Sequence, residues 1–434
     1  MPINFFHKTA FRFYDLSWRI ILPWLKFNHR LAEGFHQRKL KDDLPDAADL
    51  WIQAASVGES FLALEILKTL RVDQPTRVLI TSNTSQGVAI LNQSLPDRIG
   101  DRNQIQAVVR YFPFDKPTLM RKAVAAIRPA AMVLLETEIW PGLLGALKQH
   151  NCKTIIINGR ITDRSLKRYL LWPSIWRQFK PARILAISSA DADRFKQLFG
   201  PDGIETMPNI KFDRVASAAT SVDNHDRMKD LISGGSAFAV LASVRRQEEP
   251  PVKQIIIEIL RNRPHTVIGL FPRHLHRIRS WQEALNQAGV RWSLRSEARG
   301  PAAAGTVIIW DTFGELMQAY RFCNSAFVGG SLAPLGGQNF LEALISGTRP
   351  VIGPSWENFA WVGTEIIDTG LLQVAGNWQE AATLVLEDMA DPPPRDEIIN
   401  RSLAYLKERQ GGTAKACRAI TALMEDSRTE NDPA

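Results

Sequence analysis

Short, almost wholly apolar runs recur along this chain, each followed by a turn and a stretch with helical periodicity. A first series sits at residues 50–54, 77–81, 107–109, 131–135, 154–157 and 184–187. A second sits at 237–242, 266–270, 307–310, 325–328 and 350–353. A strand that is apolar on both sides of its pleat must be covered on both faces, and parallel strands need crossover helices that supply that cover. The pattern therefore predicts an α/β protein with parallel sheets between layers of helix. At 434 residues the chain exceeds one ordinary core, so each series predicts its own domain. The segment 217–236, rich in Ser, Ala, Asp, Asn and Gly, reads as the linker. Residues 396–425 read as helix, with a frayed end beyond.

Active groups in such sheets gather at the carboxyl ends of strands. Glu59, Ser82, Glu138 and Arg160 each fall just past an apolar run of the first series. In the second series the densest stretch is Gly329-Gly330-Ser331-Leu332-Ala333-Pro334-Leu335-Gly336-Gly337-Gln338-Asn339-Phe340-Leu341-Glu342. It lies between the run 325–328 and a short helical pattern closed by Gly347. Bare N–H groups at a strand-to-helix turn favour phosphate. Glu342, about one turn into that helix, is placed to accept hydrogen bonds from sugar hydroxyls. Glycines alone would fit a tight turn; joined to Asn339 and Glu342 they point to a nucleotide-sugar pocket.

The net charge of +8 is concentrated in two places. Residues 1–41 hold eight Lys and Arg against two acids, and residues 160–183 hold seven against Asp163 alone; the remainder is net acidic. Such patches suit nucleic acid, anionic lipid or a phosphorylated substrate. Near the start, Phe13, Leu16, Ile20, Trp24 and Phe27 make one apolar helical face, with Arg12, Asp15, Arg19 and Lys26 on another. The uncharged run 20–25 contains Pro23 and falls far short of the roughly 20 apolar residues that span a bilayer. It lacks the h-region of a signal peptide. An amphipathic helix of this kind either lies in a membrane interface or packs its apolar face on the protein; the flanking Trp, Phe, Lys and Arg favour the interface. Three scattered cysteines, Cys152, Cys323 and Cys417, suit a reducing compartment and form no zinc motif. His274 and His276 look like a metal pair, but no third ligand accompanies them, so no metal is expected.

Six stretches, taken in order, resemble one family. They are Ala54-Ala55-Ser56-Val57-Gly58-Glu59, Glu136-Thr137-Glu138-Ile139-Trp140-Pro141, Asn209-Ile210-Lys211-Phe212-Asp213, Phe271-Pro272-Arg273-His274, Asp311-Thr312-Phe313-Gly314-Glu315-Leu316 and the Gly329–Glu342 run. Together they are similar to the 3-deoxy-D-manno-octulosonic acid (Kdo) transferases, over roughly residues 30–375. The resemblance implies a GT-B fold, two Rossmann-like parallel-sheet domains facing a central cleft, with the N-terminal amphipathic helix associating with a membrane. The implied division is 1–40 as the membrane-associating segment, 41–220 as the acceptor-binding domain, 221–425 as the CMP-sugar donor domain and 426–434 as a disordered tail. It implies CMP-Kdo as donor, a lipid A precursor as acceptor, the anionic cytoplasmic face of the inner membrane as location, and an inverting transfer with no metal and no other cofactor.

By the same resemblance Glu59 matches the general base, while Glu138 and Lys211 match positions that stabilise the transition state. The donor contacts carry over to Pro272, Arg273, Phe313, Gly314, Glu315, Asn339, Phe340, Leu341 and Glu342. Glu136 and Glu138, two apart on an extended segment, would point to opposite sides, which makes Glu136 the structural member of the pair. The sequence departs from the family at Ser243-Val244-Arg245-Arg246-Gln247-Glu248, where Ser-Thr-His-x-Gly-Glu is usual; Arg245 is then available for a phosphate contact. Gln338 stands where a His is usual, and Pro208 where a Gly is usual. No nucleic-acid motif accompanies the basic patches, so nucleic acid is not an expected partner. Two other readings share these residues: a different GT-B enzyme, such as another nucleotide-sugar transferase or an epimerase, and a non-catalytic membrane-surface protein of the same fold.

Overall fold

The computed structural model describes residues 5–41, 46–98, 104–219, 228, 231–232 and 237–431. The chain divides into two compact units: Met1–Arg214 together with Arg409–Ala434, and Val215–Glu408.

The first unit is built on β1 (Leu50–Ala54), β2 (Thr76–Ser82), β3 (Ile105–Tyr111), β4 (Ala131–Leu135), β5 (Lys153–Gly159), β6 (Arg183–Ala186) and β7 (Ile204–Thr206). They form one parallel sheet in the order β3-β2-β1-β4-β5-β6-β7. Every residue of β1 and β4 is buried, as strands covered on both faces must be. Alternate residues feed two cores, Leu50, Ile52 and Val133 on one face and Trp51, Met132 and Leu134 on the other.

The second unit repeats the plan with β8 (Phe238–Val244), β9 (Val267–Pro272), β10 (Trp292–Leu294), β11 (Val307–Ile309), β12 (Ser325–Val328), β13 (Pro350–Ile352) and β14 (Gln373–Val374). Its order is β10-β11-β9-β8-β12-β13-β14, again parallel throughout. The apolar runs read from the sequence are all strands. The three it did not announce, β7, β10 and β14, are short edge strands whose residues are half-buried or exposed, so they lack an apolar run. Both sheets reverse direction once, between β1 and β4 and between β8 and β12. At such a switch point the connections leave to opposite sides and open a crevice at the carboxyl ends of the strands.

The domain limits differ from those read in the sequence. The anticipated helix over 396–425 is two helices, Arg395–Glu408 and Gly412–Asn431, broken at Gly411, whose φ of 99° a side chain would resist. The second helix belongs to the first unit, where Ala416, Ile420, Leu423 and Met424 enter the core with Leu62, Leu64 and Val133. Asp213 caps its start, accepting from Gly411 N (2.8 Å) and from Thr413 N and Oγ1 (both 2.6 Å). The second unit thus ends at Glu408, not at 425, and the expected tail is helical to Asn431. The first unit ends its initial pass at Arg214, and most of the expected linker 217–236 lies outside the described residues.

The N-terminal helix, Phe5–Leu25, attaches to the first unit by one face. Phe11 meets Phe179 edge-on (5.3 Å between centroids) over Gly145, where a Cβ would come within 2.9 Å of the Phe11 ring. Tyr14 donates to the buried Asp115 (3.0 Å), Asp15 accepts from Thr118 N (2.9 Å), and Trp18 packs against Phe114. The face read from the sequence is the opposite one. Phe13, Leu16, Ile20, Trp24 and Phe27 are between 50% and 73% exposed. Among the described residues no helix is long and apolar enough to cross a membrane.

Replacing Ile420 by Ala removes a fully buried side chain from the first core. Chemical denaturation is expected to show a loss of about 2–5 kcal/mol. An unchanged midpoint would mean that the C-terminal helix is not part of that core.

Candidate active site

At the first switch point, Ser56 caps the start of the helix Val57–Thr69, with Glu59 in its first turn. Glu59 N donates to Ser56 Oγ (3.3 Å), and the Glu59 carboxylate accepts from Ser56 Oγ (2.8 Å) and Ala55 N (2.7 Å). The helix start therefore fixes the Glu59 side chain in the crevice, 7% exposed. Burial first, then the nearby charges of Glu138 and Glu136, push its pKa up to about 8.

Glu138 hangs from a buried polar chain across three strand ends. Trp51 Nε1 donates to Thr81 Oγ1 (2.8 Å), Thr81 Oγ1 to Gln53 Oε1 (2.5 Å), and Gln53 Nε2 to both Asn83 Oδ1 (3.1 Å) and Glu138 Oε2 (3.3 Å). Trp140 Nε1 donates to the same Glu138 oxygen at 2.6 Å. Burial raises the pKa of Glu138, while the Trp140 and Gln53 hydrogen bonds pull it back. Lys211, at the start of the helix Ile210–Ala219, pairs with Glu136 at 2.7 Å.

That pairing corrects the expected placement of Glu136 on the far side of its strand from Glu138. Glu136 has a φ of 54°, so the alternation of an extended strand is broken at that residue. Both carboxylates act on Glu59, and Glu136 is the partner of Lys211.

The second unit gathers its groups at the ends of β8, β9, β11 and β12. The glycine-rich loop after β12 has its N–H groups largely engaged. Gly330, Ser331 and Leu332 donate to the buried Glu248, Gly336 donates to Ser355 Oγ, and Gly337 to Gly330 O. The first three N–H groups thus already hold an anion from the protein itself, which the reading of this loop as an open phosphate cradle did not anticipate. Asn339 Nδ2 donates to Glu342 Oε1 (2.7 Å) and Asn339 Oδ1 accepts from Leu341 N (3.2 Å).

The side chains of Pro272, Phe340 and Leu341 are buried, so these residues can offer a ligand only backbone. Glu315 is held bidentately by Arg295 (2.9 Å to each oxygen) and accepts from Trp310 Nε1 (2.8 Å), which makes it an anchor for its loop. Phe313 is 81% exposed beside Gly314, and Arg273 is exposed. His274 and His276 stack at 5.5 Å; among the described residues no three His, Cys, Asp or Glu side chains converge on a common point.

Residues 26–214 match the family model described as 3-deoxy-D-manno-octulosonic-acid transferase (kdotransferase). The 3-deoxy-D-manno-octulosonic acid transferase of Bordetella pertussis is 29% identical over 94% of this chain and 98% of its own length. The chain is similar to the Kdo transferases along nearly its whole length. These matches make it a glycosyltransferase. A bifunctional glycosyltransferase/methyltransferase of Fusobacterium nucleatum is 26% identical over 86% of this chain, which spans 56% of that longer protein. Among solved structures, the UDP-GlcNAc 2-epimerase of Neisseria meningitidis superposes with a TM-score of 0.57 at 11% identity, covering 87% of this chain and 99% of that one. At that identity the likeness is one of fold, the two-domain GT-B class.

Glu59, Glu138 and Lys211 therefore come together in the first unit, and the carried-over donor residues lie at strand ends of the second. Three further residues escaped the sequence reading. Gln53 gave no signal, since a lone Gln in an apolar run reads as a strand residue. Glu136 was visible but assigned to the wrong side. Glu248 was noted only as the end of a departing motif.

The charges set two opposite expectations for the Glu59 carboxyl, readable by NMR titration. Glu136→Gln removes a negative neighbour and lowers the pKa from about 8. Lys211→Met strips Glu136 of its cation and raises it. Shifts of the same sign in both variants would contradict the geometry.

Proposed function

We propose that this protein transfers Kdo from CMP-Kdo to a lipid A precursor of the lipid IVA type in lipopolysaccharide assembly, with inversion and without a metal. The observation that carries this reading is Glu59, a carboxylate fixed at a switch point with a pKa of about 8 beside Lys211 and Glu138. The match to the family model and the names borne by similar proteins support the substrates.

In the proposed step Glu59 takes the proton of the attacking acceptor hydroxyl. The hydroxyl oxygen bonds to the anomeric carbon of Kdo from the face opposite CMP, and the bond from that carbon to the phosphate oxygen breaks. CMP departs with the electron pair, and cations and backbone N–H groups of the second unit meet its charge. Arg273 is one such cation; Asn339 and Glu342 bind the donor, as do the backbones of Phe313, Gly314 and Phe340. Glu138, oriented by Gln53 and Trp140, faces the positive charge that builds on the sugar carbon. Lys211 offsets Glu136, so that Glu59 can ionise during turnover.

The outward stripe Phe13, Leu16, Ile20, Trp24 and Phe27 supports attachment to the cytoplasmic face of the inner membrane. In the second basic segment Leu171 and Trp172 are 74% and 59% exposed while Trp176 is buried, so the loop between the helices Asp163–Tyr169 and Pro173–Gln178 also offers apolar surface among cations. Each Lys or Arg near anionic lipid adds on the order of 1 kcal/mol.

A base with a pKa of about 8 must lose its proton to act, so kcat/KM should rise roughly tenfold per pH unit up to about pH 8 and then level. Glu59→Gln should lower transfer from CMP-Kdo to a tetra-acylated disaccharide acceptor by at least about 100-fold. Wild-type rates in that variant would remove Glu59 from the mechanism, and a wild-type protein that leaves the acceptor unextended would remove the reaction.

Membrane attachment has its own measurement, flotation with vesicles containing anionic lipid. Phe13→Asp with Trp24→Asp should leave the protein in the unbound fraction at low salt. Unaltered flotation would show that this helix is not the contact.

A further inference from the structure

At the second switch point one carboxylate ties the turn after β8 to the loop after β12. Glu248 is wholly buried and accepts from Arg245 N (2.8 Å), Gly330 N, Ser331 N (3.1 Å) and Leu332 N (3.4 Å). The fit is close enough that a Cβ on Gly329 would collide with Glu248 Oε1. The N–H groups that present themselves to phosphate in a glycine-rich loop are thus satisfied from within, and an incoming anion there would meet a like charge.

The same carboxylate fixes Arg245. Its N–H is on Glu248 Oε1, and its carbonyl accepts from Glu248 N at 3.0 Å. Val244 and Pro272 are register partners at the ends of β8 and β9, and Arg273 N donates to Val244 O at 2.8 Å, so Arg245 and Arg273 leave neighbouring strand ends together. The pairing shifts register between Leu241 and Val244, with Ser243 in the left-handed region (φ 54°), an irregularity of the kind that re-aims the residues after it. Among the described residues neither guanidinium has a carboxylate partner. His274 beside them has its pKa lowered, by burial first and then by Arg245, Arg273 and His276. Two cations without carboxylate partners at a switch-point crevice suit an anionic ligand.

We propose that Arg245, held by Glu248 and set beside Arg273, binds the phosphate of the nucleotide donor, and that the N–H groups of Gly330, Ser331 and Leu332 do not. This rests on the reading of the second unit as the donor-binding one. Arg245 is then a binding residue, and Glu248 acts through it as a positioning residue.

Calorimetric titration of the full chain with CMP, UMP and cytidine tests this, because the difference between nucleotide and nucleoside isolates the phosphate. Wild type is expected to bind CMP more tightly than cytidine. Arg245→Ala should weaken CMP about tenfold and leave cytidine unchanged, with Arg245→Lys recovering part of the loss. Glu248→Gln should weaken CMP as well, and the double variant Glu248→Gln with Arg245→Ala should lose no more than Arg245→Ala alone. Retained cytidine binding shows that a variant is folded. CMP binding unchanged by Arg245→Ala, an equal loss for cytidine, or wild-type affinity that ignores the phosphate would each overturn the proposal. If wild type instead prefers UMP and Arg245→Ala removes the phosphate increment there, the phosphate site stands and the CMP-Kdo reading falls.

Discussion

Both units depend on a carboxylate withdrawn from water at the point where a parallel sheet reverses its winding. Strand ends and helix starts meet there, and each leaves N–H groups without acceptors. A carboxylate brought in from a neighbouring turn accepts several at once. Glu248 takes four N–H groups and is spent as an anchor. Asp115 takes Gly142 N, Leu143 N and the Tyr14 hydroxyl, and so joins the N-terminal helix to the body. Glu59 takes one N–H and one hydroxyl and has two further carboxylates beside it. The device is common to all three, and burial raises the pKa of each; only Glu59 has two carboxylates, Glu138 and Glu136, adding to that rise.

The sequence spoke clearly where burial on both faces forces an uninterrupted apolar run, and it fell silent at the edge strands β7, β10 and β14, which need none. Side-chain partners were legible only when local. Ser56 and Glu59 have capping-box spacing, although they were read as a turn and a base. Glu248 lies 82 residues before Gly330, and Lys211 lies 75 after Glu136, distances over which no periodicity carries information. The glycine-rich stretch shows the consequence. Its residue types were read correctly as a loop with upturned N–H groups, but the acceptor that fills them comes from another strand. Glu136 failed for a different reason: period-two reasoning holds only while φ stays extended, and a single left-handed residue invalidates it.

The N-terminal helix makes a third case. Its outward residues Phe13, Leu16, Ile20 and Trp24 and its inward residues Phe11, Tyr14 and Trp18 follow the same helical spacing, so hydrophobicity alone does not say which side faces the protein. Polar complementarity settles it. Tyr14 and Asp15 have partners in Asp115 and Thr118, whereas the outward stripe has only Arg12, Arg19 and Lys26 for company. With Phe11, Tyr14, Asp15 and Trp18 holding the protein, the outward stripe is left exposed.

For the proposed base the raised pKa is a balance, not a defect. Moving Glu59 from 4.5 to about 8 means that ionising it in place costs on the order of 5 kcal/mol more than in water. At pH 7 about a tenth of the molecules would then carry the carboxylate, which costs about 1.4 kcal/mol in population. In return that carboxylate accepts a proton far more readily than an exposed Glu, and general-base efficiency is greatest when the pKa lies near the working pH. Lys211 keeps the balance from tipping. Without its cation on Glu136, three carboxylates would share one crevice, and the proton on Glu59 would be held too tightly for neutral-pH chemistry. In this reading the ion pair between Lys211 and Glu136 acts on Glu59 through the charge of Glu136.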